Sequence, residues 1–149
     1  YRIAKCRFVN DCSGYGAFLY GGRWNSKGQS MLYTAQSVSL SMLELLVHLP
    51  ATLAADDFCL LTLELPDASV QVLSPDQLPE AWDAYPFIGA TRQLGDHFLQ
   101  TASGLALKVP SCIVPGEYNV LLNPRHPAFD QKVRVLSSEP IRIDRRLLS

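Results

Sequence analysis

SMLYTAQSVSLSMLELLVHL, residues 30–49, changes period half-way along. Its first six residues read as a strand, and from Ser37 the apolar side chains recur at helical spacing. Set at 100° per residue, Val38, Leu40, Met42, Leu43, Leu45, Leu46, Val47 and Leu49 cover most of the circumference. A helix apolar nearly all round is expected to be buried nearly all round. Ser37, Ser41, Glu44 and His48 share the remaining arc, roughly 60° wide. Glu44 has two readings. Ser41-x-x-Glu44 fits a capping box, in which the carboxylate only satisfies an amide at the helix start. A start near Thr34 or Ser37 suits the apolar pattern better and leaves Glu44 mid-helix, facing a thin slot of solvent or a polar cavity.

Outward from this stretch, AFLYGG (17–22) also reads as a strand. FCLLTLELP (58–66) and SVQVLS (69–74) read as a hairpin or as sequential strands around Pro66-Asp67. ALKVPS (106–111), EYNVLLN (117–123) and KVRVLSSEPIRI (132–143) add further strands. A second helical pattern, GATRQLGDHFLQTA (89–102), is interrupted by Gly95. Strands outnumber helices and no βαβ unit repeats. The expectation is therefore an α+β domain over residues 1–149, with a curved or split, mostly antiparallel sheet and a few helices. LSPDQLPEAWDAYPF (73–87) is expected to be a structured loop with a helical turn at 79–82 and Trp82 as its anchor.

At 149 residues, 48% of them apolar, the chain can bury a real core, and a formal charge of −1 offers no bulk attraction to nucleic acid or anionic membranes. No run approaches the roughly 18 apolar residues of a membrane span and no secretory pattern opens the chain, so it reads as soluble and cytoplasmic. Cysteines 6, 12, 59 and 112 form no C-x-x-C and no metal spacing with His48, His97 or His126. No metal is expected, and Cys59 and Cys112 read as buried reduced thiols.

GGRWN (21–25) is the other unusual cluster. Two glycines permit a tight turn and close approach to a ligand, and the fork of Arg23 suits phosphate or carboxylate oxygens. Equally, Arg23 could lie on the surface along Trp24. Gly14-x-Gly16 opens no dinucleotide fingerprint, and no Walker-type G-K-[ST] is present.

GGRWN, YTA (33–35), LELLVHL (43–49), VPS (109–111) and LLNPRHP (121–127), in that order, make the chain resemble the RES domain, the toxin half of bacterial toxin–antitoxin pairs. The likeness extends from YRIAK to RIDRRLL, and the arginine, glutamate and serine that name the family would be Arg23, Glu44 and Ser111. It implies an ADP-ribosyltransferase-like fold. It also implies an enzyme that consumes NAD as substrate rather than cofactor, by hydrolysis, by phosphorolysis or by transfer of ADP-ribose to a target protein. The implied partner is an antitoxin with an Xre-like helix-turn-helix region.

Under that resemblance Glu44 would stabilise the positive charge on ribose as nicotinamide leaves, and Arg23 would clamp a phosphate. Tyr33 would stack on nicotinamide or donate to a phosphate, and Ser111 would add a hydroxyl, unless it is a turn serine satisfying local backbone. Asn25 and Asn123 are further binding candidates, Asn25 also as a brace for its loop and Asn123-Pro124 also as a structural turn. The rival readings are a protein ADP-ribosyltransferase and a non-catalytic partner-binding module, the latter expected to have lost a naming residue. Arg134, Arg142, Arg145 and Arg146 lack interleaved aromatics, so direct nucleic-acid binding is not expected there.

Overall fold

A computed structural model describes residues 1–49 and 57–148. The chain runs β1 (Arg2–Lys5), α1 (Cys6–Val9), α2 (Tyr15–Tyr20), β2 (Leu32–Ala35), α3 (Val38–His48), β3 (Phe58–Glu64), β4 (Val70–Val72), α4 (Gly89–Thr101), β5 (Ala106–Pro110), β6 (Tyr118–Leu122), α5 (Phe129–Lys132) and β7 (Arg134–Ile141). The sheet is split. One half is antiparallel in the order β1-β3-β7; the other runs β2-β6-β5-β4, antiparallel except for the parallel β4–β5 pair. The halves meet where the Tyr1 amino group donates to the Ala35 carbonyl and the Ala35 amide donates back to Tyr1. This is the α+β architecture the strand pattern implies.

Ser37 caps α3, its hydroxyl accepting the Leu40 amide at 3.1 Å, so the helix begins where the apolar pattern does and Glu44 lies in its middle. The expectation of burial all round is corrected. Met42, Leu45, Leu46 and Leu49 pack on Ile3, Phe58 and Ile143, but Leu43 is 38% and Val47 58% exposed because only one side of α3 meets a sheet. The polar arc runs from buried Ser41 through half-buried Glu44 to exposed His48.

Helix α4 packs Phe98, Leu94 and Leu99 into a core of Trp24, Met31, Leu73, Leu107, Val109 and Leu121. Gly95, which weakens this helix as a sequence pattern, is what allows the packing: a Cβ there would sit 1.7 Å from the Trp24 carbonyl oxygen. AFLYGG, expected as a strand, supplies most of α2 instead. A short apolar run without alternation does not fix its own period. β3 and β4 are sequential strands in different half-sheets, not a hairpin.

The thiol expectation is also corrected. Cys59 is buried but joined to Cys6 by a disulfide, since antiparallel pairing of β1 with β3 brings two cysteines 53 residues apart in sequence to a Cα separation of 4.8 Å. Cys112 is exposed. Arg134 pairs with Glu64 and Arg146 with Asp144 on the exposed surface, in keeping with a solvated edge.

Candidate active site

The β5–β6 connection and the start of α3 converge at one end of the second half-sheet. Pairing puts Ala35, the last residue of β2, opposite Asn119 on β6, and Asn119 opposite Val109 on β5. Ser111 therefore emerges beside the point where β2 hands over to α3. Its amide donates to the Glu117 carbonyl and closes the 111–117 loop. The Ser37 hydroxyl bonds the Glu117 carboxylate at 2.6 Å and ties that loop to the helix cap. From the second turn of α3 Glu44 turns back to the sheet, where Oε1 accepts a hydrogen bond of 2.5 Å from the Asn119 amide.

Arg23 reaches this end from the glycine turn. Its Nη1 donates to the Trp82 carbonyl at 2.6 Å and the Ala84 carbonyl at 3.0 Å, and its guanidinium lies 5.7 Å from the Phe87 ring centre. Trp82 packs on Trp24 at 6.4 Å, so it anchors the loop that fixes Arg23. Arg23 and Glu44 are thus held by different partners, yet both act on one thiol. Partial burial raises the Cys112 pKa, the Arg23 charge opposes that rise, and the Glu44 and Asp83 carboxylates add to it. The guanidinium and the carboxylate therefore both lie in the electrostatic neighbourhood of Cys112.

The other sequence candidates divide. Asn25 is fully buried; its amide donates to the carbonyls of Ala17, Ser26 and Gln29, and its Oδ1 accepts from the Tyr33 hydroxyl at 2.8 Å. With its side-chain nitrogen and oxygen both engaged inside the loop, it acts as the loop's brace. The Tyr33 hydroxyl also accepts the Trp24 amide at 3.1 Å, so it holds the loop and has no proton left for a phosphate. Desolvation, the largest influence on Tyr33, raises its pKa above the ordinary value and keeps the phenol neutral. Gly22 lies directly against this hydroxyl: a Cβ would approach it to 2.6 Å.

Ser111 acts as a turn serine, its Oγ accepting the amides of Ile113 at 3.0 Å and Val114 at 3.1 Å. Only its own hydrogen remains to offer. Asn123 follows the far end of β6 from Asn119, donates to the Leu99 carbonyl and accepts the Arg125 amide. It forms a structural turn at the end of β6 away from the Asn119–Glu44 bond.

Asn119 and Arg92 escaped the sequence reading. An asparagine inside the apolar strand YNVLL was the available signal, since asparagine is disfavoured there without a polar task. Two cavities of about 160 and 380 Å³ lie elsewhere, lined by groups that include Arg2, Asp11 and Tyr33 in the first and Tyr15, Phe18 and Arg125 in the second. Neither is lined by Arg23, Glu44 or Ser111. The candidate site is marked instead by the opposite charges of Arg23 and Glu44, which both act on Cys112, next to Ser111. Among the described residues no group of three or more His, Cys, Asp or Glu is arranged to hold a metal ion. No helix among them is long and apolar enough to cross a membrane.

The fold places the chain in a known structural class. It superposes with a TM-score of 0.72 on a chain from the crystal structure of the M. tuberculosis MbcT–MbcA toxin–antitoxin complex, at 21% identity, over 99% of this chain and 84% of that one. The family follows from sequence: the RES domain model matches residues 1–144, and the chain belongs to the RES domain family. Proteins named Toxin Res from Yersinia enterocolitica and Photorhabdus laumondii are 44% identical over 130 residues and 38% identical over 149. Those alignments cover 87% and 99% of this chain, and 86% and 96% of the relatives. A Sphingobium protein named Prs ADP-ribosylating toxin is 41% identical over 127 residues, covering 83% of this chain and 79% of its own.

Proposed function

We propose that this chain is the toxin of a toxin–antitoxin pair and that it consumes cytoplasmic NAD by breaking the bond between nicotinamide and ribose. The observation that carries the reading is that Arg23 and Glu44, from a loop and a helix that share no sequence neighbourhood, are each placed close enough to Cys112, next to Ser111, to act on its thiol with opposite charge. As nicotinamide departs with the bonding electron pair, positive charge develops at the ribose C1′, and a fixed carboxylate nearby lowers the barrier. Asn119 engages Oε1 of Glu44, so Oε2 is the oxygen to face the sugar or to orient an incoming water or phosphate. Arg23 keeps the Nε and Nη2 side of its fork for a phosphate. Ser111 offers one hydroxyl hydrogen at the rim.

The test is nicotinamide release from NAD by the purified chain, with and without phosphate. Release that disappears in a folded Glu44→Gln protein supports the reading; undiminished release removes Glu44 from it. A second reading, transfer of ADP-ribose to a target protein, is favoured by the name of the Sphingobium relative. Labelled NAD incubated with cell extract separates the two, since only transfer leaves label on protein. For the partner we propose an Xre-like helix-turn-helix antitoxin covering this end. Exposed Tyr85, next to the Ala84 carbonyl that holds Arg23, and exposed Leu43 and Val47 on α3 offer it apolar contacts.

A further inference from the structure

We propose that Arg92 is a second phosphate-binding cation, gripping the pyrophosphate bridge of the dinucleotide jointly with Arg23. The inference rests on the NAD reading above and adds a residue to it. Arg92 sits in the first turn of α4, and its Nε donates to the Gly22 carbonyl at 3.2 Å, one residue before Arg23. Its guanidinium lies 4.8 Å from the centre of the Phe87 ring, while that of Arg23 lies 5.7 Å from the same centre. Two half-buried cations thus gather around one half-buried aromatic ring.

Two like charges this close repel, and what meets them directly among the described residues is backbone carbonyls and the Phe87 ring rather than a paired carboxylate. Among the described residues neither guanidinium is within ion-pair distance of a carboxylate; the ion pairs are Arg134–Glu64 and Arg146–Asp144, on the exposed surface. Asp96, one turn along from Arg92, accepts the amide and hydroxyl of Ser26 at 2.9 and 2.6 Å. The first turn of α4 carries no acidic residue and its N-cap no side-chain bond, so Arg92 stands at the positive end of the helix dipole, where a stable helix prefers an anion. Positive charge without a directly paired carboxylate is what a pyrophosphate would neutralise, and both forks keep terminal N–H groups for bidentate contact.

The experiment pairs a binding and a kinetic measurement on wild type, Arg92→Gln and Arg92→Lys, with thermal melts to verify folding. ADP-ribose titrated calorimetrically should bind Arg92→Gln roughly tenfold or more weakly than wild type, the loss typical of a hydrogen bond to a charged group, and Arg92→Lys in between. In nicotinamide release the KM for NAD should rise in Arg92→Gln by the same factor with kcat within about twofold, while kcat/KM for nicotinamide riboside, which has no phosphate, stays put. Should Arg92→Gln not fold, Arg92→Lys carries the comparison. Unchanged ADP-ribose binding, or equal losses for NAD and nicotinamide riboside, would overturn the proposal and leave Arg92 a brace for Gly22. Arg92-dependent ADP-ribose binding in a chain that releases no nicotinamide would uphold Arg92 and sink the cleavage reading. A wild-type chain that neither binds ADP-ribose nor releases nicotinamide would end both.

Discussion

Arg23 and Glu44 both act on the Cys112 thiol, but the molecule holds them in opposite ways. The arginine loop is fixed many times over: Asn25 donates to three carbonyls, Tyr33 bridges Asn25 and the Trp24 amide, and Arg23 itself grips two carbonyls of the 79–88 loop. Beneath it Gly95 admits the Trp24 backbone. Among the described residues the carboxylate has one hydrogen-bond partner, Asn119, and it sits half-buried on a helix with an exposed outer face. A group that positions the unreacting part of a substrate gains from rigidity set before binding. A carboxylate that must answer charge appearing in the transition state gains from a free oxygen aimed at that charge.

The comparison breaks first at Glu44. Glu44→Gln keeps the shape and the Asn119 contact but removes the charge; nicotinamide release should fall roughly 10²–10³-fold, with the melting temperature nearly unchanged. A drop under tenfold in a folded protein would place the negative charge elsewhere.

On the braced side, Gly95→Ala should be the most damaging change to stability. The clash is with a backbone carbonyl, not a flexible side chain, so we expect a loss of about 3 kcal/mol, seen as a fall of roughly 6–12 °C in melting temperature. A melt within 2 °C of wild type would mean that α4 and the arginine loop separate easily.

Tyr33→Phe should cost about 2 kcal/mol, because Asn25 Oδ1 and the Trp24 amide each lose a partner. It should raise KM for NAD more than it lowers kcat. It also has a pH signature. The Tyr33 pKa is raised in the folded protein, so the unfolded chain releases this proton first as pH climbs past the ordinary value of 10.0. Stability present below that pH is then lost above it, and Tyr33→Phe should show a smaller alkaline loss in pH-dependent melts.

Smallest is Asn119→Ala. Losing the one bond that aims Glu44 should lower kcat about tenfold and leave KM for NAD within twofold. Equal changes in both would assign Asn119 to substrate binding instead.

The strands were readable where apolar runs met turn residues, and the start of α3 because Ser37 precedes its first periodic residue. AFLYGG was not, since a brief apolar run suits either period. Gly95 shows the limit from the other side: as local sequence it argues against a helix, and only the Trp24 backbone pressed on it explains why the helix keeps it. Arg23 and Glu44 were legible through the family motifs. Asn119 and Arg92 were not, because their meaning lies in a partner 75 residues away for one and a carbonyl 70 residues away for the other.

By itself the sequence determined the α+β class, the order of most elements, the phase of α3 and the residue types available for chemistry, because each of these depends on neighbours a few positions apart. Tertiary structure alone decided which polar groups brace and which remain free. Asn25, the Tyr33 hydroxyl and Asn123 are engaged within the protein, while Arg23, Arg92 and Glu44 each keep a side-chain nitrogen or oxygen with no hydrogen bond among the described residues. The physical reason is that hydrogen-bond capacity is finite: a side chain's role follows from what is left after the fold has satisfied its buried polar atoms, and that remainder exists only in three dimensions.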